Sequence, residues 1–145
     1  MTSKMEALEA RVEALCEQGN ALADLEDHAG ALGRFEQALA LLPEPQDSHP
    51  STLWVCVAIG DMLFLLERYP EAREFLRRAV ALPDGLGNPF IHLRLGQCAF
   101  ELGDKRRAGD ELARAFMGAG DEIFDGEDAK YLQFVRSILL PAQDA

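Results

Sequence analysis

Apolar and small residues in this chain recur at spacings of three and four, then stop at turn residues. In "ALGRFEQALALLP", Ala31 and Ala38 bracket Phe35 at spacings of four and three, with Pro43 closing the run. That is the period of a helix with one face packed. The same frame returns twice. Gly19, Gly60 and Gly96 are each followed twelve residues later by Ala31, Ala72 or Ala108, and seven further on by Ala38, Ala79 or Ala115. The intervals between units are 41 and 36 residues, and the length excess falls in the turn-rich stretches "PEPQDSHPS" and "PDGLGNP". Insertions sit where loops tolerate them.

Helix punctuation fits the frame. Ser3 with Glu6 forms a capping box, so the first helix is expected to begin near Lys4. Pro70 and Pro89 fall where a first turn accepts proline, Asn88 is a good cap, and Gly103 can close a helix that Asp104 reopens. Six helices in three hairpins are predicted. After the acidic stretch "DEIFDGED", read as a solvated loop, Tyr131, Leu132, Phe134, Val135, Ile138 and Leu139 form an apolar stripe that predicts a seventh helix. Its expected role is to cover the last hairpin's open face.

The spacing resembles that of the tetratricopeptide repeat family, W-x2-L-G-x2-Y followed by A-x3-F, a further alanine and proline. Leu15, Gln18, Gly19, Leu22, Ala31, Phe35, Ala38 and Pro43 supply it in the first unit. Cys56, Ile59, Gly60, Leu63, Ala72, Leu76 and Ala79 do so in the second, and His92, Leu95, Gly96, Ala99, Ala108, Leu112 and Ala115 in the third. Aromatic places are softened to aliphatic, and Gln18 and His92 depart from the pattern. The resemblance implies an all-α, right-handed superhelix of three hairpins plus a C-terminal capping helix, in a small bacterial-type protein. One domain is expected over 1–145, with repeats at about 12–45, 53–86 and 89–120 and the cap at about 127–140. Physically, the glycine of each first helix and the alanines of each second are expected to be the close contact points, with Phe35 filling the space beside them.

The resemblance also implies a concave groove lined by the first helix of each hairpin. On the matching places it carries Asn20, Trp54, Val57, Asp61, Phe64, Phe90, Leu93, Gln97 and Phe100. Trp54, Phe64, Phe90 and Phe100 suit an apolar helix or extended peptide, and the row of Asn20, Asp61 and Gln97 could hydrogen-bond its backbone. Some relatives grip a C-terminal carboxylate with lysine, asparagine, asparagine, lysine and arginine. This chain has Cys16, Asn20, Ala58, Phe90 and Arg94 there, so carboxylate capture lacks both lysines.

Composition narrows the partner. The net charge is -11, with ten acids against three bases in Met1–Asp47, nine of each in Asp61–Arg114 and six against two in Ala115–Ala145. Such a field repels phosphate backbones and anionic lipid, so neither nucleic acid nor a membrane is an expected partner. No apolar run approaches a membrane span, and Cys16, Cys56 and Cys98 show no ligand or disulfide spacing, which points to the cytoplasm. His28, His49 and His92 form no metal pattern, and His92 reads as a satisfied structural histidine. The "GLGNPF" stretch follows a helix end, not a strand, and "DEIFDGEDAKYL" puts Ile123 and Leu132 where a calcium loop needs oxygen. No cofactor, metal or enzyme chemistry is expected. The function expected is a protein or peptide-binding module, as chaperone or adaptor, broadly resembling the translocator chaperones of type III secretion. The alternatives are an acidic immunity protein or inhibitor covering a basic partner, and a scaffold that self-associates, for instance as a homodimer.

Overall fold

In the computed structural model, which describes residues 3–140, Ser3 opens the chain's first helix by accepting the Glu6 amide at 3.0 Å. That helix, α1 (Lys4–Asp24), turns back into α2 (His28–Leu41). The second hairpin is α3 (Thr52–Leu65) with α4 (Tyr69–Ala81), and the third is α5 (Pro89–Glu101) with α6 (Lys105–Ala119). A last helix, α7 (Ala129–Leu139), packs on α6. Two further caps are those the sequence predicts, Asn88 receiving the Phe90 amide and Asp104 the Arg107 amide; Asp128, in the stretch read as a loop, caps α7 by receiving the Lys130 amide.

The three hairpin turns are built alike. Each first helix ends in a residue of positive φ, Glu26 at 62°, Glu67 at 61° and Gly103 at 82°. The next amide, from Asp27, Arg68 or Asp104, reaches back to the carbonyl of Leu22, Leu63 or Ala99. This satisfies carbonyls that the helix end would orphan. Hairpins then stack, α2 on α3 and α4 on α5, so each helix pair buries its apolar stripe against the next.

At the crossing within each hairpin the contact differs in detail from the expectation. A methyl on Gly19, Gly60 or Gly96 would meet first the side chain of Phe35, Leu76 or Leu112, at 2.4, 2.7 and 2.6 Å. The glycine therefore makes room for the one large residue set between the alanines. Phe35, Leu76 and Leu112 sit at the crossing and not beside it. Each is fully buried, worth roughly 1.5–3 kcal/mol. Ala31, Ala38, Ala72, Ala79, Ala108 and Ala115 are also fully buried, leaving no space for a larger chain.

The connectors are pinned by polar contacts. Gln46 donates to the Leu39 carbonyl at 2.8 Å, Thr52 donates to the Gln46 carbonyl, and Arg78 bonds both Asp47 and Gln46. In the next connector the Leu86 carbonyl accepts from buried His92, whose other ring nitrogen meets Glu111 at 2.6 Å. His92 is thus a satisfied structural residue. Among the described residues no buried side-chain nitrogen or oxygen lacks a partner.

Candidate functional site: a concave face half open and half closed

The first helices α1, α3 and α5 carry the sequence-predicted groove residues, and the structure divides these into two groups. Asn20, Trp54, Val57 and Asp61 share one shallow depression of about 210 Å³, floored by Phe35, Ala58 and Met62. Trp54 stands at its rim, 47 % exposed, in a T-shaped pair with Phe35 at 5.7 Å between centroids. On the other side of Trp54 a second depression is walled by Glu9, Glu13, Cys16 and His49. The same tryptophan serves both. Tryptophan is enriched among binding anchors, and this one is left half in solvent.

The remaining residues meet the protein's own interior. Leu93 and Gln97 are buried, and the rings of Phe64 and Phe90 lie on either side of the Arg94 guanidinium, at 4.5 and 4.9 Å from their centroids. Arg94 is itself buried. Its nitrogens bond Asp61 at 2.8 Å, Gln97 at 2.7 Å and Glu127 at 2.5 Å, and Gln97 also donates to Glu127. Glu127 belongs to the stretch read as a solvated loop. Its carboxylate instead enters the third hairpin's concave face, and Phe124 of the same stretch is buried; a buried arginine needs carboxylate partners, and Glu101, the carboxylate of α5, is taken up by Tyr131 and Lys130.

Phe100 is covered by α7. Tyr131 and Phe134 pack against it in T-shaped pairs, 5.4 and 5.2 Å between ring centroids, and the Lys105 ammonium sits 3.1 Å from its ring centroid. The Tyr131 hydroxyl donates to Glu101 at 2.7 Å, and Lys130 meets the same carboxylate at 2.5 Å. Burial, then the bond to Glu101 and its charge, push the Tyr131 phenol well above its ordinary range. Burial pushes Glu101 the other way from its bonds, but the Lys130 and Tyr131 bonds and the lysine charges prevail and hold its carboxyl low.

Sequence reasoning placed Arg94 only among the carboxylate-gripping positions and missed both its internal pairing and Glu127. The available signal was a single guanidinium inside the apolar run "FIHLRLGQCAF", which cannot be buried without a carboxylate from elsewhere. Arg94 is also the one cation at the carboxylate-gripping places, and two of the protein's own carboxylates already occupy it. No group of three or more metal-ligating side chains is found among the described residues, and no described helix is long and apolar enough to cross a membrane.

Stacked hairpins that show one concave face define a helical-repeat solenoid, a class whose elements present an extended surface. The tetratricopeptide repeat family model matches residues 10–84, and the chain belongs to that family. The third hairpin, beyond the matched residues, repeats the turn and crossing of the first two.

Among solved structures, the first repeat domain of Spaghetti (RPAP3), bound to the HSP90 peptide SRMEEVD, is similar at TM-score 0.66 and 17 % identity, covering 90 % of this chain and 94 % of that one. The N-terminal domain of stress-induced protein-1 from C. elegans gives 0.65 and 17 %, covering 92 % and 98 %. The Sgt2 repeat domain from Aspergillus fumigatus gives 0.64 and 18 %, covering 92 % and 87 %. At these identities the likeness is one of fold. A comparison with curated proteins finds no match.

Proposed function

We propose that this chain is a protein-interaction module, a chaperone or adaptor of the cytoplasm, whose partner segment seats on the first two hairpins around Trp54. The observation that carries the reading is the half-exposed Trp54 between two depressions, on a stretch of the first two hairpins' first helices away from α7 and Glu127. Asn20 and Asp61 at its edge offer polar atoms to a bound backbone. The third hairpin has a supporting role: its aromatics and Arg94 are consumed in holding the C-terminal segment.

The Spaghetti domain holds an acidic peptide, SRMEEVD. A ligand of that kind suits this chain poorly, since both lysine places are lost and Arg94 is internally paired. The family fold supports protein binding and leaves the partner class to be read from the surface.

The test isolates the native partner with tagged protein, identifies it by mass spectrometry, and measures its affinity against Trp54→Ala combined with Val57→Asp. Affinity should fall by about tenfold or more, the usual loss for an aromatic anchor, with helical circular dichroism unchanged. Undiminished affinity would move the interface to the convex side.

A further inference from the structure

We infer that the segment seated at Trp54 is cationic and amphipathic, with apolar side chains against Trp54 and Val57 and lysines or arginines facing Glu9, Glu13 and Asp61. The inference rests on the groove reading above and adds the partner's chemistry to it.

The closed half of the same concave face supplies an internal precedent. There a guanidinium, that of Arg94, lies between two aromatic rings and is held by the carboxylates of Asp61 and Glu127. A second cation, Lys105, sits over Phe100. The open half has the same components, an exposed aromatic ring and flanking carboxylates, and among the described residues no lysine or arginine lines either depression. Glu9 and Glu13 wall the depression beside Trp54. Among the described residues neither is in an ion pair, while Asp61 binds Arg94 through Oδ1 and keeps Oδ2 for another donor.

Helix geometry extends the acidic surface along the groove. At 3.6 residues per turn, Glu6, Glu9, Glu13, Asn20 and Asp24 fall within about 40° of one line on α1, while Lys4 and Arg11, the bases of that helix, fall on the far side. The stripe runs about 27 Å, long enough for a helical segment of five turns. The charge is felt within the site: burial first, then Glu13, raises the Cys16 thiol. Carboxylates on a face with low-dielectric walls focus their field on it, which favours a basic segment and repels an acidic one.

The single tryptophan of the chain makes the test direct, because its emission reports on the groove and nothing else. The full chain is titrated with a short amphipathic helical peptide of leucine and lysine, and with its counterpart carrying glutamate for lysine. The lysine peptide should change Trp54 emission saturably. Glu9→Lys with Glu13→Lys should weaken it about tenfold or more, and the milder Glu9→Gln with Glu13→Gln about threefold. Glu36→Lys with Asp110→Lys, which alters net charge equally on exposed helix positions away from Trp54, should change affinity less than about twofold. Equal weakening by both lysine pairs would reduce the effect to general charge and overturn the inference. An emission change with the glutamate peptide alone would overturn it while leaving the groove reading intact. A change with protein concentration alone would give the groove to a second copy and also overturn it. Silence with both peptides would remove the groove reading too.

Discussion

Replacing Arg94 with alanine tests whether the closed half of the concave face is held by its buried charge network. The substitution leaves Asp61, Glu127 and Gln97 without their shared donor and removes the plate between Phe64 and Phe90. Removing one partner of a buried ion pair costs about 3–5 kcal/mol. Here the two carboxylates keep 25 % and 19 % of their surface and can regain water, so the low end applies, about 3 kcal/mol. In a chain of this size that lowers the melting temperature by about 10 °C. Glu127→Gln leaves Arg94 with Asp61 and should cost about 1–2 kcal/mol, with its clearest effect local: α7 amides should exchange faster before global unfolding. Urea unfolding of both single variants and the pair gives the coupling, expected at about 1–2 kcal/mol. A loss under about 1 kcal/mol for Arg94→Ala, or strict additivity, would refute the view that Glu127 ties the C-terminal segment into the groove.

Four further outcomes follow from the local geometry. Gly96→Ala would set a methyl 2.6 Å from the Leu112 side chain and 2.9 Å from its backbone nitrogen, and should cost about 1–3 kcal/mol in denaturant. Gly33→Ala, which meets nothing within 4 Å, should instead gain about 0.5–1 kcal/mol. Glu67→Gly relieves a φ of 61° at the turn where the third hairpin already uses Gly103, and should raise stability by about 0.5–1 kcal/mol after its cost in unfolded-chain entropy. Glu101 has a depressed folded pKa, so its contribution is complete above the ordinary carboxylate range, about 4, and disappears as pH falls through the folded value. Thermal melts of Glu101→Gln and the parent chain should therefore differ at pH 6 and converge towards pH 2.5.

The hairpins were legible because their signals are local. A glycine, two alanines at fixed offsets, a cap and a turn lie within one unit, and Ser3, Asn88, Asp104 and Gly103 act where the sequence places them. The identity of the crossing contact was less legible, since spacing marks Gly60 and Ala72 alike as small and does not say that Leu76 fills the gap. Least legible was the division of the groove. Phe90 and Leu93 carry the same apolar signature as Trp54 and Val57, and only the Arg94–Glu127 contact, made across 33 residues, tells the covered half from the open one. A single charged residue in an apolar run is the trace such a contact leaves in sequence.

Photo-crosslinking tests the central claim most directly. A benzoylphenylalanine placed at Val57, in the depression beside Trp54, is compared with one at Glu36, exposed on α2, in the presence of the purified native partner. The account predicts a crosslink from Val57, lost in Trp54→Ala, and none from Glu36. A crosslink from Glu36 alone would contradict it.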